Sequence, residues 1–228
     1  MTLPLLINKN NRIFMGFFWA AVFVTGYLIP NHFHLFEPKL LPMMWIDLAT
    51  PFMPWTVLVY TSEYYMFVLG YLLLSSDHNR DRYMWAFFGV TVISAAVFVF
   101  FPTTFPRADY PIPPDAHWFV YRVFSNLRAV DTPSNAFPSM HVCCCYLTAF
   151  AFLPREESRW KFWWFLTWTT AVAVSTLTTK QHYLADLIAG FIEAVVGYWI
   201  FFKWMRYVSF TDYFKILFRK DSGAPSVK

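Results

Sequence analysis

Charge is what this sequence has least of. Lys, Arg, Asp and Glu make up 14% of its 228 residues, and 57% are hydrophobic. Soluble domains carry roughly a quarter charged residues, so this chain has too little polar surface to coat a water-soluble globule. Cysteine is nearly absent too: the three present stand in a row, Cys143-Cys144-Cys145. Neighbours on a helix point in different directions, which excludes a metal cage or a disulfide framework built from them alone. They read as small apolar fillers in a helix interface. No internal repeat and no low-complexity segment is visible. No small-residue cleavage site follows Lys9, Arg12 and the first apolar run, so that run is expected to stay as an anchor.

What is abundant is long apolar sequence. Aromatics are 22% of the chain, and six apolar runs lie at 13–29, 55–74, 83–101, 137–153, 162–178 and 183–204. A helix needs about 17–25 residues to cross the hydrocarbon core, and backbone polar groups in lipid must bond within their own segment. The expected fold is therefore all-α: a polytopic membrane protein with six transmembrane helices in one bundle, forming a single domain over 1–228. Leu40 to Ala49 is expected to form a structured loop or to lie along the membrane surface. The segment 207–220 is expected to form an interfacial helix, with disorder beyond Asp221.

Six spans put both termini on one side. Of the 18 Lys and Arg residues, 13 fall on that side; the other side has only Lys39, Arg107, Arg122, Arg128 and Lys180. The positive-inside rule then predicts cytoplasmic termini. The net charge of +4 is a topology signal spread along cytoplasmic edges, and no nucleic-acid partner is called for.

Two short stretches stand at the outward ends of apolar runs, Pro138-Ser139-Met140-His141 and His182-Tyr183-Leu184-Ala185-Asp186. Pro is at home in a first helical turn, and the free amides there attract an anion, with Ser139 adding a hydroxyl and His141 a proton donor or acceptor. His182 and Asp186 are four apart, so on a helix the carboxylate would stack beside the imidazole and hold its tautomer. Glu193 shares that face, with Gly190 and Gly197 allowing close helix packing. Glu63 lies inside the second run, where a costly acid faces the bundle interior and pairs with a site base or serves as a structural acid. The long outward loop 102–136 carries Arg107, Arg122, Arg128, Asp131 and Asn135, and Arg suits phosphate recognition through its planar fork.

Several chemistries fit two histidines and an acid at one membrane edge. Metal binding is set aside because three ligands on two helices are few and the nearby cations repel a metal. An intramembrane Ser-His protease survives only if His182 serves Ser139. Purely structural histidines are the bland alternative. Two of them at helix starts on one side, with an acid partner and nearby Arg, argue instead for chemistry.

Arg107, the Pro-Ser-Met-His stretch and His182 with Asp186 together resemble the type 2 phosphatidic acid phosphatase superfamily. The wording of Phe101-Pro102-Thr103-Thr104-Phe105-Pro106-Arg107 and of 135–141 is most similar to the inositol phosphorylceramide and sphingomyelin synthase branch. Departures are plain: Phe100 stands where the first motif has Lys, Ala108 where it has Pro, Met140 where the second has Gly, and Thr176 where the third has Arg. Lys180 is placed to supply that last charge. The resemblance implies that His182 attacks phosphorus and becomes a phosphohistidine, Asp186 orients it, and His141 protonates the leaving alcohol. It also implies that Arg107, Ser139, Met140 and Lys180 surround the phosphoryl group. Arg122, Arg128, Asn135, Asp131, Thr176, Glu63 and Glu193 are the supporting candidates. No metal or cofactor is implied.

The expected function is a lipid phosphatase acting on a phosphorylated lipid on the non-cytoplasmic side. Phosphotransfer to an alcohol is the second reading, and an inactive lipid-binding or scaffolding relative the third. The expected partners are the lipid substrate and the bilayer.

Overall fold

Apolar runs with few breakers fold as helices, and the computed structural model, which describes residues 1–218, is mostly helical. The elements in order are β1 (Thr2–Leu5), α1 (Arg12–His32), β2 (Lys39–Leu40), α2 (Trp45–Ala49), α3 (Val57–Thr61), α4 (Glu63–Leu73), α5 (Asp77–Phe100), β3 (Thr103–Thr104), α6 (Trp118–Val130), α7 (Met140–Phe150), α8 (Arg159–Thr178), α9 (Leu184–Tyr198), β4 (Arg206–Ser209) and α10 (Phe210–Leu217). Among the described residues three helices are long and apolar enough to cross a membrane: Arg12–His32, Asp77–Phe100 and Leu184–Trp204, the last continuing α9 through a π-helical turn. Met140–Phe150 is a shorter apolar helix.

α7 lies at the centre, packed against α4, α5, α8 and α9. A helix apolar all round must be surrounded, and the side chains from Met140 to Cys145 are buried on every face. The three adjacent cysteines are all buried and free, as a helix enclosed on every face requires. The molecule is inverted relative to a soluble one. Large apolar side chains such as Phe14, Phe17, Tyr65 and Trp163 are exposed, while Glu63, Ser139, Gln181 and Asp186 are buried, the arrangement expected where lipid is the solvent.

Two small parallel pairings close opposite ends. At one end β1 pairs with β4, Thr2 opposite Arg206, and Asp81 near the start of α5 accepts the Leu6 and Ile7 amides. The 24 residues of α5 span about 36 Å to the other end, where β2 pairs with β3. There Thr103 also bridges Asn135, its carbonyl accepts the Ala136 amide at 3.0 Å, and its hydroxyl accepts the Phe137 amide at 2.7 Å. One threonine thus sets the approach to the Pro138-Ser139-Met140-His141 stretch.

Five expectations need correction. The segment 102–136 is not all loop, because α6 occupies Trp118–Val130 with Val120, Phe124 and Leu127 buried at helical spacing. The 55–74 run is interrupted at Ser62, whose hydroxyl bonds the Val59 carbonyl at 2.6 Å and so competes with the helical ladder; Glu63 begins the next helix. The 137–153 run yields only the 11-residue α7, started by the Ser139 cap after Pro138. The 183–204 helix begins at Leu184, leaving His182 outside it. In the 207–220 segment a strand precedes α10; Arg219, Lys220 and the expected disorder beyond Asp221 lie outside the described residues.

Candidate active site

The site forms where the starts of α7 and α9 meet. Ser139 caps α7, its hydroxyl accepting the Val142 amide at 3.3 Å, and its own amide donates to the Asp186 carbonyl at 3.1 Å. The two backbones touch at Gly190, where a methyl group would collide with the Ser139 carbonyl oxygen. Tyr183 is the residue before α9. Asp186, one turn in, accepts the Tyr183 amide at 2.9 Å and lies 3.2 Å from His182 Nδ1. The His182–Asp186 contact therefore arises from a capping turn, and not from two side chains stacked on one helix as expected.

His182 Nδ1 also lies 3.0 Å from the Ala136 carbonyl. Both partners only accept, so Nδ1 carries the proton and Nε2 of the neutral ring keeps a free lone pair. His141 is held in the same way. Its Nδ1 is 2.5 Å from Glu63 Oε1, an acid that is 0% exposed and whose other oxygen accepts from the Cys145 thiol at 3.6 Å. Cys145 is thus more than a filler. The Nε2 of His141 is buried and has no partner among the described residues. The two imidazole rings are 5.5 Å apart between centroids, nearly edge to face. Tyr60 and Tyr27 complete the wall around His141 at 4.8 Å and 5.9 Å.

A cleft of about 490 Å³ runs from His141 and Met140 between α1, α4 and α6, walled by Phe23, Val24, Phe67, Val123 and Val130. Its polar edge holds Glu63, Asp131 and Asn126.

Asp131 organises a second polar cluster. Arg107 donates to its carboxylate at 2.8 Å and also to its carbonyl, and the Tyr27 hydroxyl donates to its other oxygen. Asn31 holds the Asn135 amide oxygen at 2.7 Å and the Thr132 carbonyl at 3.0 Å. Burial raises the Asp131 pKa, but the Arg107 and His141 charges outweigh it and hold the carboxyl below the usual range. Lys180, in a left-handed backbone conformation (φ 53°), donates to the Asp47 carbonyl at 2.6 Å and sits over the Tyr110 ring. Burial lowers its ammonium pKa against the attraction of Asp47.

The remaining candidates divide. Arg128 packs on Phe124 and donates to the Tyr110 carbonyl at 2.9 Å. Arg122 is exposed on α6 and is not drawn into either cluster. Thr176 turns its hydroxyl back to the Ala173 carbonyl at 2.7 Å, so it contributes nothing in place of an arginine. Glu193, about 10 Å further along α9 than Asp186, is bonded by Ser94 at 2.9 Å and 3.0 Å and belongs to the bundle interior. Among the described residues no group of three or more His, Cys, Asp or Glu could hold a metal ion.

Four contributors were not foreseen: Tyr27 and Asn31 of α1, Tyr60 of α3, and Asp47 of α2. Asp47 accepts the Leu184 amide at 2.7 Å and the Met44 amide at 2.8 Å, fixing the start of α9. An Asp three residues after a helix start is the available signal for Asp47. For the others, only three-dimensional contact reveals them.

No curated protein and no solved structure matches the chain. The sequence model of the PAP2 superfamily does match, over residues 28–200. That stretch is well over half of the chain and takes in Glu63, Arg107, both histidines and Asp186. This protein belongs to the PAP2 superfamily.

Proposed function

We propose that this protein is a six-span, single-domain membrane enzyme that hydrolyses a phosphorylated lipid on the non-cytoplasmic side, with both termini in the cytoplasm. Superfamily membership supports a phosphatase or phosphotransferase acting on lipids. The observation that carries the reading is the paired imidazoles. Each Nδ1 is held by a buried carboxylate, and the rings lie 5.5 Å apart with His141 Nε2 unpartnered.

In this reading the lipid tail lies in the cleft beside His141, and the phosphate sits at the α7 N-terminus, where the first amides lack helical partners. Arg107, the Ser139 hydroxyl and the remaining donors of Lys180 balance its charge. His182 Nε2 attacks phosphorus; the P–O bond to the lipid breaks, and the departing oxygen takes the proton from His141 Nε2. The lipid alcohol leaves and a phosphohistidine remains. Neutral His141 then takes a proton from water as its oxygen attacks phosphorus, the N–P bond breaks, and inorganic phosphate departs with His182 and His141 restored. Asp186 and Glu63 keep the two rings oriented. This is covalent catalysis with charge stabilisation, and the step sequence requires no cofactor.

Transfer to an alcohol shares the first half-reaction and would align the chain with the sphingomyelin synthase-like branch. The apolar cleft favours it as a second reading, because it can also seat an apolar alcohol. Incubating the purified protein with phosphatidic acid, sphingolipid phosphates and isoprenyl phosphates, with and without alcohols, tests both. Free phosphate marks hydrolysis and a new phospholipid marks transfer. His182→Ala should abolish either product and the acid-labile phosphoenzyme. Undiminished product from His182→Ala would overturn the mechanism, and loss-free biological function without turnover would point to a scaffold.

A further inference from the structure

Two tyrosines wall His141, and the mechanism uses neither. The Tyr27 hydroxyl is spent on Asp131. The Tyr60 hydroxyl is buried and has no partner among the described residues, and the whole residue is 0% exposed. The Tyr60 ring packs with Val57 of its own helix and with Val120, Phe124 and Leu127 of α6. It also meets the His141 ring, tilted 50° to it at 4.8 Å between centroids. Tyr60 and Glu63 stand on either side of the break at Ser62, and both converge on His141. Glu63 holds Nδ1, and the other ring nitrogen, Nε2, is as unpartnered as the tyrosine hydroxyl. His141 opens on the cleft, as do Thr61 and Glu63, the two neighbours of Ser62. A buried hydroxyl without an acceptor is costly, and such exceptions call for a physical account. Here the orphaned donor stands beside the nitrogen that hands over a proton.

We propose that Tyr60 is a further catalytic residue, whose hydroxyl donates a hydrogen bond to the lipid oxygen as that oxygen departs from phosphorus. The inference rests on the lipid phosphatase reading and adds a group to the same site. An oxygen about 2.8 Å from each donor can bridge the Tyr60 hydroxyl and His141 Nε2, a span that suits rings 4.8 Å apart. His141 transfers its proton to that oxygen as the P–O bond breaks. Tyr60 keeps its own proton and stabilises the negative charge that builds there. The donor is fixed before substrate arrives, because α6 and His141 confine the ring. A preorganised donor away from water acts on developing charge without reorganisation at the moment of reaction.

The test is Tyr60→Phe in the full-length protein in detergent. It is assayed on a lipid phosphate and on a nitrophenyl phosphate, whose phenolate departs without a donor's help. The kcat/KM for the lipid phosphate should fall roughly tenfold or more, and that for the aryl phosphate should hardly change. Equal losses on both substrates would mark a general distortion of the site and overturn the assignment. Stability should move the other way. An orphaned hydroxyl contributes nothing to folding, so Tyr60→Phe should melt at or above the wild-type temperature. A lower melting temperature would show the hydroxyl already bonded and reject its catalytic use. Orthovanadate gives a readout without turnover, because its apical oxygen, opposite the nucleophile, occupies the departing position. It should raise the melting temperature of the wild type more than that of Tyr60→Phe. If neither substrate is turned over and this difference holds, the phosphatase reading fails and the Tyr60 contact stands. Equal vanadate shifts reject it.

Discussion

Gly190→Ala probes the site without touching a reacting group. The Gly190 α-carbon faces the Ser139 carbonyl, and an added methyl would lie well inside 3.0 Å of that oxygen, with the Cys143 amide and Ser139 carbonyl carbon both at 3.3 Å. All three are backbone atoms at the tightest helix contact of the site, so no side chain can swing away. Ordinary contact begins at 3.4 Å, so α7 and α9 must part by roughly 0.5–1 Å in a close-packed interior. His141 sits two residues beyond Ser139 and His182 is tied to α9 through Asp186, so the imidazoles separate with the helices. Misplacement by about 1 Å costs on the order of 10²-fold in rate; the expected loss in kcat is therefore roughly ten- to hundredfold. Phosphate release at saturating lipid measures it, with a thermal melt to establish that the variant is folded. Gly197→Ala is the control: its methyl would meet the Val90 side chain at 2.9 Å, which can move, and the effect should be several-fold at most. A folded Gly190→Ala enzyme with near wild-type kcat would refute the claim that the two imidazoles work together across this contact.

Other substitutions separate the supporting roles. Glu63→Gln exchanges a charge-assisted bond to His141 for a neutral one, a loss of about 1–1.5 kcal/mol; kcat should fall roughly five- to tenfold while KM changes little. Arg107→Lys cannot reproduce the fork on the Asp131 carboxylate and carbonyl, and steady-state kinetics should record a KM rise on the order of tenfold. Asp47→Ala strips the caps from the Leu184 and Met44 amides and should lower stability by about 1–3 kcal/mol, read as a lower melting temperature. Asp131 has a folded pKa held below its usual value, so its stabilisation is full above about pH 4 and is lost as pH falls through the lower folded value. Asp131→Asn should remove that acid limb from the melting-temperature profile, and an unchanged profile would show that the Arg107 pair contributes nothing.

What could be read from residue order was chiefly what is local. His182 and Asp186 do meet, but the reading assumed a helix through both, whereas Asp186 reaches back to a residue outside α9. Glu63 was legible as a buried acid in search of a base; that the base is His141, 78 residues away, was not. The same limit hid Tyr27 and Asn31, whose partners lie about 100 residues downstream. α6 is a different case. Its Val120, Phe124 and Leu127 carry the helical period, but Pro-rich flanks and exposed Trp118 and Tyr121 obscured a helix lying among loop residues. The alternative homes for Arg107 and Lys180, on Asp131 and the Asp47 carbonyl, depend on folding and left no trace in spacing.

The parallel pairing of Thr2–Leu5 with Arg206–Ser209 also has a bearing on assembly. A ribosome delivers the first strand long before the second, and every helix of the bundle emerges in the interval. The Leu6 and Ile7 amides can find Asp81 early, but the strand beside them stays without its partner until α9 has been made. Closure of this hoop is thus a late event in biogenesis, and it fastens a bundle whose reactive end, a helix-length away, can already have come together.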